Sequence, residues 1–235
     1  MITKIISHRG RTSLKSQDNT IQAIQDAIDL KVDMVEFDIR RTKDLQIICF
    51  HDETINGHLL SELNYSEILE FNPEIPTLEQ LLWIVKGKIE IDIELKEPGY
   101  ENDIILMVLD YFDYNKFIMK SFHRSVVRKI KSIDKNIFTG LLIGEDYNWR
   151  IFLDILKESI TVNGFYLDQA DFISSPFKAY EMGLMARISR MQIPLQVWTV
   201  NDTRLLEVLI RRKIHSIVTD IPEKAIEIRE SILNV

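Results

Sequence analysis

Asp33-Met34-Val35-Glu36-Phe37-Asp38-Ile39, then Arg40-Arg41-Thr42-Lys43-Asp44-Leu45, then Gln46-Ile47-Ile48-Cys49-Phe50-His51: this stretch decides how the rest of the 235-residue chain is read. Its outer segments are short and rich in Ile, Val and Phe, as strands are. The six residues between them are too few for a parallel crossover, which takes a dozen or more. The second segment therefore returns antiparallel through a turn near Asp44, which pairs residues whose numbers sum to about 88. That register sets His51 opposite Phe37, level with Glu36 and Asp38.

Outward from the hairpin, strand-like runs occur at 4–7, 88–95, 117–121, 137–143, 165–167, 195–200 and 216–219. Helical patterns lie between them at 19–30, 78–85, 101–111, 125–133, 149–158, 176–191 and 205–213, with Thr77 as an N-cap. Alternation of this kind predicts parallel strands with crossover helices. Setting the hairpin's return arm aside leaves eight parallel strands in a chain near the ~250 residues of a (β/α)₈ barrel. The expected fold is thus α/β, a TIM-like barrel with a hairpin extension after the second strand. Residues 1–235 read as one domain, with a short polar insertion at about 52–74 over the active-site mouth, helical near 66–71.

Composition narrows the function. Hydrophobic residues are 46% and charged residues 28%, enough apolar surface to exclude a disordered chain. The net charge of −7 speaks against nucleic-acid binding by phosphate neutralisation, though a local pocket can still be positive. The lone Cys49, inside Ile47-Ile48-Cys49-Phe50, reads as a core thiol in a reducing compartment. The first residues turn polar too soon for a signal peptide, and no apolar run approaches the ~20 residues of a membrane span. A cytoplasmic protein without stable membrane insertion is expected.

The chemistry should sit at the carboxyl ends of the strands. Four polar clusters fall there: Ser7-His8-Arg9-Gly10, Glu36-Phe37-Asp38, His51-Asp52 and Glu94-Leu95-Lys96. Glu36 and Asp38, two apart on an extended strand, point to one face and repel unless a cation lies between them. With Glu94 they form a hard-oxygen set suited to Mg²⁺ or Ca²⁺. Singly, each reads as a surface carboxylate or a partner for Arg40 or Arg41. His8 and His51 beside such a set suggest general acid–base catalysis. Arg9 and Lys96 supply charge for an anionic, oxygen-rich group, of which a phosphodiester is the simplest. Lys96 can also be read as a mere ion-pair partner of Glu94. Phe122 and Trp198 read equally as pocket lining or core. Asp220 reads as the orienter of a His or Arg, or as a helix cap. Glu90 and Asp92, deeper on the same strand face, pair with the far side of the site.

Together these segments resemble the glycerophosphodiester phosphodiesterase family. The matching pieces are His8-Arg9-Gly10; Asp18-Asn19-Thr20; Glu36-Phe37-Asp38 with Thr42-Lys43-Asp44; His51-Asp52; Ile75-Pro76-Thr77-Leu78-Glu79; Ile93-Glu94-Leu95-Lys96; Ser121-Phe122; Val197-Trp198-Thr199-Val200-Asn201; and Thr219-Asp220-Ile221-Pro222. The resemblance implies a (β/α)₈ barrel, His8 and His51 as the acid–base pair, and a divalent metal on Glu36, Asp38 and Glu94. It also implies phosphate contacts from Arg9 and Lys96, and a small glycerophosphodiester substrate. Two positions depart from the family pattern. Asp18 stands where Glu is usual, and Glu53-Thr54-Ile55-Asn56-Gly57-His58 replaces an Arg-Thr-Thr-like stretch and a longer cap. The expected reaction yields glycerol 3-phosphate and an alcohol. Its rivals are phospholipase D-like cleavage through a cyclic phosphate, a non-catalytic phosphate-binding barrel and, on fold analogy alone, a sugar-phosphate isomerase. The head group, the oligomeric state and the assignment of acid and base are left open.

Overall fold

In the computed structural model, which describes residues 2–144, 163–181, 188 and 190–234, eight parallel strands close into a barrel. In chain order the strands are β1 (Lys4–Ser7), β2 (Met34–Arg41), β3 (Ile47–Cys49), β4 (Thr54–Ile55), β5 (His58–Leu59), β6 (Glu90–Leu95), β7 (Phe117–Ser121), β8 (Thr139–Leu142), β9 (Phe172–Pro176), β10 (Leu195–Trp198) and β11 (Ser216–Thr219). The order round the barrel is β1-β11-β10-β9-β8-β7-β6-β2, and the β1–β2 pairing closes it. β3 is the antiparallel arm: Ile39 faces Cys49 and Arg40 faces Ile48, the register set by a turn near Asp44. The ladder runs on as the Phe50 amide donates to the Asp38 carbonyl at 3.1 Å, which brings His51 to the carboxyl-end mouth of the barrel.

Side-chain parity does the rest. Odd-numbered residues of β2 and β6 (Val35, Phe37, Ile39, Ile91, Ile93, Leu95) pack outward against helices such as Ile21–Asp29 and Leu78–Val85. Even-numbered residues point into the barrel, where Ile6, Met34, Ile118, Phe172 and Val218 form its apolar floor. Gly140 lies over that floor, and a Cβ there would come within 2.2 Å of the Phe172 ring. Helix starts obey local chemistry: Thr20, Thr77 and Asp202 each accept a backbone N–H of the first turn.

Residues 165–167 are not a strand. They end a short helix, Asn163–Leu167, with Tyr166 and Leu167 exposed, and the barrel strand is instead β9. Ser174-Ser175-Pro176 carries turn chemistry in sequence, yet both serines are fully buried and Ser174 Oγ donates to Gln196 Oε1 at 2.6 Å. Pro176 accordingly ends a strand rather than opening a helix, and the helix described after it is Phe177–Glu181. The helix read at 149–158 lies outside the described residues. The closing helix, Pro222–Leu233, is implied in the sequence only by the cap reading of Asp220 and is given no bounds there; Pro222 opens its first turn and it packs on β1. The 52–74 segment holds the β4–β5 hairpin, a helical turn at Leu60–Glu62 and a helix at Tyr65–Phe71. No described helix is long and apolar enough to cross a membrane.

Candidate active site

The barrel's carboxyl-end mouth holds a cavity of about 280 Å³ lined by His8, Arg9, Glu36, His51, Glu94, Lys96, Lys120, Phe122 and Trp198, with apolar Leu142 and Val218. Eight of the nine residues singled out from sequence thus meet on one surface. The ninth, Asp38, lies just behind it, 1% exposed, with Lys96 Nζ 3.0 Å from its Oδ1. Phe122 and Trp198 meet edge to face at 5.8 Å, so they both pack and line the cavity.

Backbone strain positions the first cluster. Arg9 adopts φ 55°, ψ 27°, a left-handed conformation that costs of order 1–3 kcal/mol for a side-chain-bearing residue. Its amide donates to Glu36 Oε2 at 3.0 Å and its carbonyl accepts from the Asn19 amide at 3.0 Å, and these bonds hold the turn. Gly10 follows at φ +77°, where a Cβ would sit 2.8 Å from the Ala23 backbone. His-Arg-Gly is therefore a steric requirement as well as a chemical one.

Glu36, Asp38 and Glu94 are all buried, and each offers an oxygen within 4.8 Å of the others. Burial raises carboxyl pKa values, yet Lys96 and Arg9 hold Asp38 well below the usual range. Glu94 goes the other way: burial and the neighbouring Asp38 charge push it up to about 7, although Lys96 bonds its Oε1. The cluster thus carries more negative charge than its lysines offset, and all its donors are hard oxygens. A divalent cation fits both features.

Both histidines are fixed through Nδ1. His8 Nδ1 lies 2.7 Å from Asp220 Oδ1, and His51 Nδ1 lies 2.7 Å from Asp52 Oδ1, leaving each Nε2 for proton transfer. Asp220 also pairs with Arg11 at 3.1 Å and accepts from Asn201 at 2.6 Å; it caps no helix. Against the cost of burial, His8 and these partners draw its pKa down to about 2. Burial lowers the His51 pKa, with Asp38 opposing. Arg40 donates to the His51 carbonyl at 2.8 Å and pairs with Glu97 at 2.7 Å, so it anchors the His51 backbone and partners neither Glu36 nor Asp38.

Three contributors escaped the sequence reading. Asn19 clasps Asp38 from two sides, Nδ2 donating to Oδ2 and Oδ1 accepting the Asp38 amide, each at 3.1 Å. Lys120, 2% exposed, lies 2.8 Å from Asp92 Oδ2 and 3.6 Å from Glu36 Oε1. Gln196 Nε2 donates to the same Asp92 oxygen at 2.8 Å. The signal for Lys120 was its parity: a lysine at an inward position of a five-residue strand. Asp92 thus pairs beneath the site, whereas Glu90 pairs with Lys4 and Lys116 at the opposite mouth.

A family model for glycerophosphoryl diester phosphodiesterases matches residues 8–224. The chain belongs to the glycerophosphoryl diester phosphodiesterase family. Its enzyme class is therefore phosphoric diester hydrolase. A glycerophosphodiester phosphodiesterase of Caldanaerobacter subterraneus is 27% identical, spanning 97% of this chain and 98% of its own. A putative one of Bacillus subtilis is 25% identical over 93% of this chain and 95% of its own. Among solved structures, a putative family member from Agrobacterium tumefaciens superposes with TM-score 0.86 over all of both chains at 17% identity. A phosphodiesterase of Oleispira antarctica, solved with its product sn-glycerol-3-phosphate, superposes with TM-score 0.78 over 97% of each chain, also at 17% identity.

Proposed function

We propose that this cavity hydrolyses glycerophosphodiesters to glycerol 3-phosphate and a free alcohol, within a single barrel domain spanning residues 1–235. One observation carries the reading: two of the buried donors without a partner, Arg9 Nε and Trp198 Nε1, belong to residues lining the cavity that also holds both imidazoles. Arg9 Nε lies 3.0 Å from Asp38 Oδ2, but its N–H is not aimed at that oxygen. Buried donors left over cost free energy, and an acceptor-rich phosphoryl group satisfies them.

Glu36, Asp38 and Glu94 would hold a divalent ion, which supplies Lewis-acid stabilisation of charge on the phosphoryl oxygens. Arg9 and Lys96 add fixed positive charge at the same group. One imidazole takes a proton from the attacking water as its oxygen bonds phosphorus. The other donates a proton to the departing alkoxide as the P–O bond breaks. Asp220 and Asp52 keep the two rings oriented for this exchange. The reading is tested with glycerophosphocholine and glycerophosphoethanolamine, followed by phosphorus NMR with and without added Mg²⁺ or Ca²⁺. Glycerol 3-phosphate formed only with the ion supports it. Turnover that survives chelation refutes the metal role, and a cyclic phosphate end product refutes attack by water.

A further inference from the structure

The catalytic cavity has a larger neighbour. A groove of about 630 Å³ runs beside it, bordered by Arg40, Arg41, Lys43, Lys96, Glu97 and His123, with the Leu60–Ser61 turn of the insertion on its far side. Lys96 is shared by the two spaces. Its ammonium faces Asp38 and Glu94, while its carbonyl accepts from His123 Nε2 at 2.9 Å. One residue therefore forms the ridge between cavity and groove.

Charge in the groove is uneven. Arg40 is committed: it pairs with Glu97 and holds the His51 carbonyl. Glu97 is likewise engaged, its second oxygen accepting the Arg41 amide at 2.9 Å. The Arg41 guanidinium donates only to the Gly99 carbonyl at 3.0 Å and lies 5.5 Å from the centre of the Tyr100 ring. Lys43 is exposed and extends from the hairpin turn. Among the described residues neither Arg41 nor Lys43 has an ion-pair partner, whereas Arg9, Arg11, Lys96 and Lys120 all do. Glu53 also borders the groove without an ion-pair partner among the described residues, so Arg41 and Lys43 face one carboxylate there and leave a local positive excess in a chain of net charge −7.

Size joins the groove to the chemistry. At about 280 Å³ the cavity falls just below the roughly 300–1,000 Å³ that whole ligands fill, so an extended diester projects beyond it. We propose that the groove is a specificity subsite for diesters whose alcohol portion carries a further phosphate, bound by Arg41 and Lys43. This deepens the proposed hydrolysis and rests on it for catalysis.

The test compares three substrates: glycerophosphocholine, with a cationic head; glycerophosphoglycerol, with a neutral one; and 1,3-bis(glycerophospho)glycerol, whose head bears a second phosphate. Wild-type kcat/KM should be highest for the bis-phosphate. Lys43→Ala and Arg41→Gln should each raise its KM about tenfold, the value of one charge-assisted contact, with kcat unchanged. Both variants should leave the choline substrate unaffected. Equal losses on all three substrates, or none, overturn the subsite. Calorimetric titration of glycerol 3-phosphate and the bis-phosphate into chelated protein separates the two proposals. Binding of the bis-phosphate that weakens in Lys43→Ala, without hydrolysis of any diester, supports the groove and refutes the hydrolase reading. Hydrolysis of all three without Lys43 dependence does the reverse.

Discussion

Replacing Lys120 by Met removes an ammonium from the middle of the barrel while keeping a similar volume. Lys120 is 2% exposed and Asp92 fully buried, so water cannot take over the lost ion pair. Asp92 would keep Gln196 Nε2 at 2.8 Å, its Oδ1 already lacks a partner, and Glu36 adds like charge nearby. Burial already raises the Asp92 pKa, with Lys120 opposing. Without Lys120 the folded protein's cheapest response is to protonate Asp92. At pH 7 the unfolded chain keeps that group ionised near its ordinary value of about 3.9, so folding must hold a proton against about three pH units. At ~1.36 kcal/mol per unit, the loss is about 4 kcal/mol, which agrees with the ~3–5 kcal/mol typical of stranding one partner of a buried pair. For a domain of this length that corresponds to a fall in Tm of roughly 8–16 °C.

The sign gives a second signature. Folded Lys120→Met binds one proton more than its unfolded chain between about pH 4 and 7, so its deficit against the parent shrinks by about 1.4 kcal/mol per unit as pH falls. Urea melts in EDTA at pH 5, 6 and 7 measure both effects without any ion on the neighbouring carboxylates. The double variant Asp92→Asn with Lys120→Met removes both charges and should recover most of the loss. A deficit under 1 kcal/mol at pH 7, or a double variant no better than the single, refutes the view that Lys120 is the counter-charge for Asp92.

Three further outcomes follow from the same geometry. Asp220→Asn, which weakens the hold on His8 Nδ1, should lower kcat at least tenfold in steady-state assays while KM moves little; equal kcat refutes the orienting role. Gly10→Ala must tolerate φ +77° and a 2.8 Å approach to Ala23, and should cost about 2–4 kcal/mol in urea melts together with activity. His215, at the opposite mouth, has its pKa pushed down to about 4, chiefly by burial and then by Lys4, and stacks near Phe138 and Phe172. Its unfolded value is about 6.5, so the unfolded chain binds the extra proton and stability falls between pH 6.5 and 4, by up to about 3 kcal/mol. His215→Leu should flatten that slope, and an unchanged slope in the variant refutes the assignment.

The sequence disclosed the hairpin because a six-residue link admits only one strand direction, and from that register His51 falls beside Glu36 and Asp38. It misplaced one strand because Ser174-Ser175-Pro176 lacks the apolar outward run that marked β2 and β6 despite their charged inward faces. In β9 Ser174 is bonded to Gln196 inside the barrel and so reads as a turn, whereas of the apolar 165–167 run only Phe165 packs against the core and Tyr166 and Leu167 are exposed. Lys120, Gln196 and Asn19 were hidden for a related reason. A lysine, a glutamine or an asparagine gives no hint in sequence of which carboxylate it meets, and those partners stand 28, 104 and 19 positions away.

That hidden layer explains why the barrel can hold three carboxylates at one mouth at all. Each buried carboxylate costs several kcal/mol unless it is compensated, and the fold answers each at a different depth. Asp38 is met from above by Lys96 and Arg9 and from the side by Asn19, Glu36 by the Arg9 amide and from below by Lys120, and Lys120 in turn by Asp92. Of the three at the mouth, Glu94 has its pKa pushed up to about 7, by burial and then by the Asp38 charge. The shortfall is therefore local, at the three-oxygen cluster that opens on the cavity, and the left-handed turn at Arg9 ties the His8 loop to that same cluster through Glu36. Strain in the loop and excess charge in the cluster are thus coupled through one carboxylate. Glu36→Gln should accordingly disturb the His8 loop as well as weaken cation binding, and the imidazole NMR shifts of His8, read in EDTA, separate the first effect from the second.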